Sequence, residues 1–380
     1  MVRPSETNLQ SSVSLPALRE NEPLRPYTTF KIGGPARYFA GVADADQARA
    51  ALEFARRQTM PLFVLGGGSN ILVSDRGFNG MVLHPAMKGI EVAHEEGDNV
   101  HLRAQGGEAW DGVVAHTVDH HWWGIENLSH IPGQCGAALV QNIGAYGQQL
   151  SDVLESAEVL EISSGKVQTL GPTDCGLAYR RSIFNSACKG EYLILGLTLR
   201  LSKRPQPKLE YADVQFYFRE RGTQEPSQAE IRQAMISIRD GKFPYPREER
   251  GGNAGSFFKN PSLSIDQFEA LEAWIGARLG EARRSQLSEL RARGGGSGYI
   301  RIPAAMLISA CGLKGFELGR AQVNLTQPLV ILNLGGATAE DVLRLAGHIR
   351  RTVFRETGVQ LELEPELVGF APDELERYFA

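Results

Sequence analysis

The chain is poor in cysteine and has no long hydrophobic run. Its four cysteines, Cys135, Cys175, Cys188 and Cys311, lie far apart and form no C-x-x-C pair, so neither a zinc site nor a disulfide framework is indicated. No apolar stretch approaches the roughly 20 residues of a membrane span, and the N-terminus lacks the basic-then-apolar order of a signal peptide. We therefore expect no bound metal, no membrane contact and a reducing cytoplasmic location.

An excess of either charge is also missing. The 40 basic and 44 acidic residues are mixed along the chain and leave a net charge of -4, which argues against a dedicated nucleic-acid surface. A length of 380 residues exceeds the usual limit for a single core, so two or three domains are expected. Residues 1–23 are polar and rich in Ser, Pro and Glu, which predicts a disordered leader.

Short strands with few helices are predicted from Thr28 to about residue 242. A helix capped by Asp44 presents its alanines and Leu52 on one face. Further strands are predicted at 61–65, 71–73, 100–104, 157–162 and 192–201. Further helices are predicted near 108–120 and 228–239. This mixture indicates an α+β fold rather than a regular βαβ array.

Helix and strand signals weaken over 205–226, where Leu209 to Asp213 is predicted to be a surface excursion. Helices follow near 264–278 and 303–311, with a strand at 329–333. Thr338 and Asp341 have the spacing of a capping box and open a strongly amphipathic helix. Residues 291–298 contain three consecutive glycines and are predicted to form a flexible loop.

The phosphate-binding fingerprints G-x-G-x-x-G and G-x-x-x-x-G-K-[ST] are absent, but a glycine-rich turn does follow a predicted strand. Its members are Gly66, Gly67, Gly68, Ser69 and Asn70. Consecutive backbone N–H groups without Cβ atoms can form an anion-binding nest. A tight structural turn explains the pattern equally well.

A second glycine-rich block covers 131–136 and 141–147. Glycines at 133, 136, 144 and 147 let the backbone lie against a flat ligand, and Gln141 and Asn142 add amide groups of fixed direction. Two such blocks indicate a long cofactor with a diphosphate. A pair of loops around an empty cleft is the alternative.

The third glycine-rich segment, 252–261, surrounds Ser256 with glycine, amide and aromatic residues. Few structural roles need that combination, although a glycine-rich turn that enters an aromatic strand would also produce it. The segment is not G-x-S-x-G, and no histidine lies near it in sequence, so acyl transfer has little support.

Six motifs in order make the chain resemble the UDP-N-acetylenolpyruvoylglucosamine reductases from about Pro26 to Gly369. They are G-G-G-S-N at 66–70, I-P-G at 131–133, Q-N-I-G-A-Y-G at 141–147, Y-R-x-S at 179–182, G-N-A-G-S-F-F-K-N-P at 252–261 and L-E-P-E at 363–366. The resemblance implies reduction of UDP-N-acetylglucosamine-enolpyruvate to UDP-N-acetylmuramate, a step of peptidoglycan synthesis that serves cell-wall formation, cell shape and cell division.

The resemblance also implies FAD as cofactor and NADPH as co-substrate in a ping-pong cycle. It implies a two-part FAD-binding region of the FAD-linked oxidase type, 24–88 with 358–380 and then 89–241, and a separate α+β substrate domain at 242–357. The implied cofactor-binding residues are Gly66, Gly67, Gly68, Ser69, Asn70, Gly133, Gly136, Asn142, Gly144, Ala145, Tyr146 and Ile194. We expect a monomer.

Three catalytic residues follow from the same resemblance. Reduced flavin passes hydride to the terminal alkene carbon, and negative charge then develops on the neighbouring carbon and its carboxylate. Arg180 matches the arginine that holds and polarises that carboxylate, and Glu364 matches a glutamate that stabilises the enol-like species. Ser256 matches the proton donor to carbon. Without the motifs, Arg180 is consistent with an ordinary surface arginine.

Tyr179, Tyr211, Lys242 and Asn260 match positions that the family uses for the UDP-sugar, and Tyr211 indicates the subclass with a tyrosine lid. Lys242 is otherwise consistent with a solvated helix end and Tyr211 with a loop anchor. Two rival functions stay open. One is another flavin-linked oxidase or dehydrogenase that acts on an alcohol or amine, and the other is a non-catalytic nucleotide-sugar binding protein without flavin.

Overall fold

A four-stranded sheet with one helix begins the fold. The computed structural model describes residues 16–242, 251–293 and 298–379. The first elements are β1 (Leu18–Pro23), β2 (Pro35–Val42), α1 (Ala45–Arg57), β3 (Leu62–Val64), β4 (Ile71–Val73) and β5 (Phe78–Pro85). The sheet order is β1-β2-β5-β3, with β2 and β3 parallel to β5. The predicted strands at 61–65 and 71–73 are therefore confirmed.

Helix α1 forms as its sequence pattern predicts. The Asp44 carboxylate accepts a hydrogen bond of 2.8 Å from the Gln47 backbone N–H, which satisfies one of the free donors of the first turn. Ala48, Ala51, Leu52 and Ala55 are buried along one stripe against the sheet. The cap and the stripe thus act together to fix this helix.

The predicted leader at residues 1–23 is wrong at its C-terminal end. Residues 18–23 form strand β1, which pairs antiparallel with β2, while residues 1–15 lie outside the described residues. Because the side chains of β1 are mostly exposed, the strand needs few apolar residues. Its polar composition therefore resembles that of a disordered segment. The backbone hydrogen bonds of an edge strand, together with the Arg19 guanidinium 4.5 Å from the centre of the Phe39 ring, hold it in place.

An antiparallel sheet follows, with helices on it. Its elements are β6 (Ile90–Glu96), β7 (Asn99–Gln105), α2 (Trp110–Asp119), α3 (Cys135–Val140), β8 (Gly144–Ala145), β9 (Gln148–Gln149), β10 (Leu154–Glu161), β11 (Val167–Leu170), β12 (Tyr192–Ser202), α4 (Ala212–Arg219) and α5 (Gln228–Lys242). The five-stranded order is β11-β10-β12-β7-β6. Trp110, only 1% exposed, centres the core between this sheet and α2.

The predicted excursion at Leu209 to Asp213 does lie at the surface, but helix α4 (Ala212–Arg219), which the sequence did not indicate, begins within it. Val214 and Phe218, four residues apart, are buried against α5 and Tyr146. A single apolar pair gives too weak a helical pattern to be recognised in the sequence. The stability of the helix comes mainly from its packing on α5 and Tyr146. Tyr211 lies at the start of this helix.

The C-terminal third forms a separate core. Its elements are β13 (Ser262–Ser264), α6 (Ile265–Leu279), α7 (Glu281–Arg293), β14 (Tyr299–Arg301), α8 (Ala304–Ala310), β15 (Glu317–Leu318), β16 (Ala321–Val323), β17 (Ile331–Asn333) and α9 (Ala339–Thr357). The predicted capping box is confirmed: Thr338 Oγ1 accepts from the Asp341 N–H at 3.0 Å. Helix α7 overlaps the start of the predicted loop at 291–298, and residues 294–297 lie outside the described residues.

The C-terminal residues contact both the N-terminal part of the fold and the C-terminal core. Strand β18 (Glu366–Val368) pairs parallel with β4 of the N-terminal part. Helix α10 (Pro372–Phe379) packs on α9, where an Arg351 guanidinium N–H donates a hydrogen bond of 3.0 Å to the Tyr378 carbonyl. The content of helices and strands confirms the α+β class, while the predicted domain boundaries stay a prediction. Within the described residues, no helix is long and apolar enough to cross a membrane.

Candidate active site

A cavity of about 500 Å³ lies where the glycine-rich segments meet. Its walls come from the turn at 66–70, the loop and helix at 130–144, the segment at 180–194, residues 253–256 and residues 364–366. These five stretches span most of the chain, so the cavity exists only in the folded protein. All three predicted catalytic residues line it.

The first glycine turn is packed too tightly for side chains. Gly68 has φ of +58°, and a Cβ there would lie 2.1 Å from the Tyr27 carbonyl oxygen. A Cβ on Gly67 would lie 2.5 Å from the Cα of Gly133, so the two glycine blocks touch backbone to backbone. Gly66, Gly68, Ser69 and Asn70 line the cavity, whereas Gly67 fills the contact behind it.

The second glycine block forms the opposite wall. Gly133, Gly136 and Gly144 line the cavity together with Ile194. Gln134 donates its side-chain N–H to the Pro85 carbonyl at 3.0 Å, and its Oε1 is buried without a hydrogen-bond partner among the described residues. A buried acceptor with no partner is available to a donor on a ligand or to water.

Three residues of the predicted cofactor set support the wall without lining it. Asn142 donates to the Ala178 carbonyl at 2.9 Å and accepts from the Ser151 N–H at 3.1 Å, and so anchors the loop that carries Arg180. Tyr146 is buried, which raises the pKa of its phenol to about 12. Ala145 belongs to the two-residue strand β8 that precedes it.

Ser256 sits on a short extended segment held from two sides. Its neighbour Phe257 donates its N–H to the Leu329 carbonyl at 2.8 Å and accepts from the Glu364 N–H at 3.0 Å. Phe257 and Phe258 are fully buried and anchor the segment in the C-terminal core. The backbone that presents Ser256 is thereby hydrogen-bonded to the backbone that presents Glu364.

Arg180 and Glu364 face each other in the cavity. The Nε atom of Arg180 lies 3.4 Å from Oε1 of Glu364, and both side chains are largely buried, at 28% and 13% exposed. The contact lacks hydrogen-bond geometry, so Arg180 Nε has no hydrogen-bond partner in the described part of the chain. Burial raises the pKa of Glu364, and the positive charges of Arg180 and Lys259 oppose that rise.

Asn70 joins the first glycine turn to this acidic segment. Its side-chain N–H donates to the Glu364 carbonyl at 3.2 Å, and its own carbonyl accepts from the Glu366 N–H at 3.0 Å. The two bonds extend the pairing of β18 with β4 up to the edge of the cavity. Asn70 therefore fixes the position of the Glu364 backbone relative to the first glycine turn.

The four predicted substrate residues lie outside the cavity wall. The Arg301 guanidinium stacks 3.9 Å from the centre of the half-exposed Tyr179 ring. The half-exposed Tyr211 packs edge-on to Tyr146, and Lys242 Nζ lies 2.5 Å from Asp213. Asn260 accepts from the Ala304 N–H at 2.9 Å and so caps α8. Whether they bind substrate stays a prediction.

Sequence reasoning missed two cations that line the cavity, and it named the lining amide of Asn253 only as part of the 252–261 motif. Lys189 Nζ lies 2.7 Å from Glu366 Oε1, and Arg239 donates its Nε–H to the His130 carbonyl at 2.9 Å. Asn253 accepts from the Gly255 N–H at 2.9 Å through its side chain. Lys189 and Arg239 belong to no glycine-rich motif, so no sequence signal pointed to them.

The residues present fit a flavin dinucleotide. The Gly66 to Asn70 turn offers backbone N–H groups for a diphosphate, and Gln134 offers an unpaired buried acceptor. Leu65, Ile131 and Ile194 supply apolar walls for a flat ring. The cavity thus combines an anion cradle with an apolar slot, as a nucleotide cofactor requires.

Comparison with known proteins finds matches to both parts of the chain. Residues 245–368 match the model of the UDP-N-acetylenolpyruvoylglucosamine reductase C-terminal domain, and residues 36–171 match an FAD binding domain. The reductase of that name from Burkholderia multivorans is 39% identical and covers 92% of this chain and 96% of its own. The one from Amoebophilus asiaticus is 40% identical over 92% and 99%.

A solved structure extends the comparison to the fold. The crystal structure of UDP-N-acetylenolpyruvylglucosamine reductase from Thermus caldophilus is 26% identical and covers 93% of this chain and 100% of its own, with a TM-score of 0.64. The pairing of an FAD-binding part with a separate C-terminal domain is therefore confirmed.

Proposed function

The chain belongs to the UDP-N-acetylenolpyruvoylglucosamine reductase family and is a flavin-dependent oxidoreductase, and we propose that it converts UDP-N-acetylglucosamine-enolpyruvate into UDP-N-acetylmuramate with electrons from NADPH. The observation that carries this proposal is the Arg180–Glu364 contact in the cavity that Ser256 also lines. An arginine, a buried carboxylate and a hydroxyl suit the addition of hydride and a proton across an enol ether.

Bound FAD would supply the hydride, and the glycine turn at 66–70, Gln134 and Ile194 would hold it. The hydride adds to the terminal carbon of the double bond, and the electron pair of that bond moves toward the neighbouring carbon and its carboxylate. Arg180 binds this carboxylate. A planar guanidinium in a partly dry cavity stabilises the developing charge more strongly than it would in water.

Ser256 donates the proton that the neighbouring carbon takes up. A hydroxyl is a weak acid, but a carbanion-like carbon is basic enough to accept its proton when the geometry is fixed. The hydrogen bonds of Phe257 to Leu329 and Glu364 fix that geometry. General acid catalysis of this kind contributes about 10²- to 10⁴-fold to the rate.

Glu364, on the segment at 364–366, also acts on the enolpyruvyl group. Because burial raises its pKa, this carboxyl holds a proton more readily than a solvated glutamate does. A carboxyl with a raised pKa next to Arg180 can share a proton, directly or through water, with the enol-like species. Its part in the reaction is to stabilise that species, while Ser256 delivers the proton to carbon.

Tyr179, Tyr211, Lys242 and Asn260 are proposed to bind the UDP-sugar. Tyr179 and Tyr211 are each 49% exposed, which leaves both rings accessible to a ligand. Lys242 offers a point charge for the diphosphate once Asp213 is displaced. We further propose that the protein belongs to the tyrosine-lid subclass and that it is a monomeric cytoplasmic enzyme. Its role would lie in peptidoglycan synthesis.

The visible absorption spectrum of the purified protein tests the proposal first. A flavin spectrum that NADPH bleaches without oxygen, and that returns when the enolpyruvyl sugar is added, is the expected result. A protein without flavin would be a nucleotide-sugar binder. Bleaching by NADPH with no return on addition of the enolpyruvyl sugar would point to a flavin enzyme of another substrate class.

A further inference from the structure

Two histidines and a glutamate gather on the open face of the five-stranded sheet, outside the cavity. His94 on the edge strand β6 and His101 on β7 are directly paired across the strands, and their rings stack with centroids 3.7 Å apart. Glu155 on β10 places Oε2 2.5 Å from Nδ1 of His101. One ligand atom from each of the three lies within 4.8 Å of the other two.

The centre of this cluster is buried and its flanks are open. His101 is 4% exposed, and its Nε2 atom has no hydrogen-bond partner among the described residues. Glu155 is 37% exposed at its side chain, and His94 is exposed. Imidazole and carboxylate groups are the ligands that zinc takes in proteins, and here a buried imidazole with an unpartnered nitrogen lies beside an exposed imidazole and a carboxylate.

The spacing can contract into a coordination shell by small movements. Zinc ligands lie about 2.0 to 2.2 Å from the ion, which in a tetrahedron sets neighbouring ligand atoms about 3.3 Å apart. Glu155 must therefore withdraw slightly from His101, and His94 must approach and tilt out of the parallel stack. Both flanking side chains are solvent-accessible, so neither movement disturbs a packed core.

Two of the cations near the cluster are already paired with carboxylates, and a third lies beside His101. Arg103 is paired with Glu158, and Lys203 with Glu95, so these two cations are already compensated. Arg200 on β12 is in register with His101 and is exposed. Its positive charge would oppose a bound cation.

We propose that His94, His101 and Glu155 form a site for a divalent transition-metal ion of the zinc class, separate from the active site. Two imidazoles and one carboxylate favour Zn²⁺ over Mg²⁺, which prefers oxygen ligands. A bound ion would tie the edge strand β6 to β7 and β10. None of the three residues lines the catalytic cavity, so the ion takes no part in the reduction.

Calorimetric titration of the flavin-loaded full-length protein with ZnCl₂, after treatment with a chelator, tests the site. We expect saturable binding that His94→Ala and Glu155→Gln each weaken by at least about tenfold. Both substitutions change accessible side chains and leave the buried His101 in place, so the fold should survive. MgCl₂ should give no saturable heat.

The matched control is His120→Ala. His116 on α2 and His120, the residue that follows α2, have ring centroids 4.3 Å apart and are a rival zinc pair. Unchanged affinity in His120→Ala beside a loss in His94→Ala supports the proposal. Unchanged affinity in His94→Ala, a loss in His120→Ala, or no saturable zinc binding by the unmodified protein would overturn it.

Discussion

The Nε atom of Arg180 lies 3.4 Å from Oε1 of Glu364, although nearly half the chain separates the two residues in sequence. Asn142 holds the Arg180 loop through the Ala178 carbonyl, while Phe257 and Asn70 hold the backbone of Glu364. The two charges are therefore set in place by backbone and amide contacts from separate segments. Such preorganisation is what electrostatic stabilisation of a developing carbanion requires.

The first prediction concerns stability and pH. Because the pKa of Glu364 is raised in the folded state, its stabilising contribution is present below the ordinary pKa of 4.5 and is lost as pH rises through the raised value. A pKa raised by one unit corresponds to about 1.4 kcal/mol. Glu364→Gln should therefore lose less unfolding free energy than the unmodified protein as pH rises from 4.5 toward neutrality.

Denaturant unfolding of the flavin-free protein across that range measures the difference. Glu362→Gln is the matched control, since its side chain is 73% exposed and forms an ion pair with the solvated Lys259. Its pH dependence should follow that of the unmodified protein. Equal pH dependence in Glu364→Gln would show that Glu364 titrates alike in the folded and unfolded states.

The second prediction concerns Arg180→Lys. Lysine keeps the charge but loses the planar, two-pronged donor, so the substrate carboxylate should be held and polarised less well. We expect reoxidation of the reduced flavin by the enolpyruvyl sugar to slow by about tenfold or more, with flavin reduction by NADPH changed little. Stopped-flow absorbance of the two half-reactions measures both rates. Full activity would remove carboxylate polarisation by Arg180 from the mechanism.

The third prediction contrasts two glycines beside Ser256. A Cβ on Gly252 would lie 1.7 Å from the Thr29 carbonyl oxygen, at the contact between the C-terminal segment and the N-terminal part. Gly255 has φ of +70° but open space around its Cβ position. Gly255→Ala should cost about 1 to 2 kcal/mol from backbone strain, and Gly252→Ala clearly more. Denaturant unfolding compares them, and equal costs would contradict the packing described.

Much of this site could be predicted because its glycine-rich segments have a physical reason to be glycine-rich. Gly67 and Gly133 touch backbone to backbone, and Gly68 carries a positive φ, so the motifs directly reflect close packing around the cavity. The helix from 339 to 357 was equally readable, because its capping box and apolar stripe are both local. Local rules sufficed at these places.

The sequence was less informative where partners far along the chain decide the outcome. Strand β1 has an exposed, polar composition and is stabilised by pairing with β2. Helix α4 depends on α5 and Tyr146 for its buried face. Lys189 and Arg239 reach the cavity only through the tertiary fold. Only the fold reveals contacts of this kind.

The role of Ser256 in donating a proton to carbon is the centre of this account. Ser256→Ala removes the hydroxyl but leaves the hydrogen bonds of Phe257, so the cavity should keep its shape. Ser262→Ala is a matched control, because Ser262 lies on the neighbouring strand β13, is exposed and does not line the cavity. It should behave as the unmodified protein does.

Anaerobic stopped-flow absorbance of the flavin in Ser256→Ala is the most direct test. We expect NADPH to reduce the flavin at a nearly unchanged rate, while reoxidation by the enolpyruvyl sugar slows by about 10²- to 10⁴-fold. Equal slowing of both half-reactions, or an unchanged rate of reoxidation, would contradict the assignment of Ser256 as the proton donor.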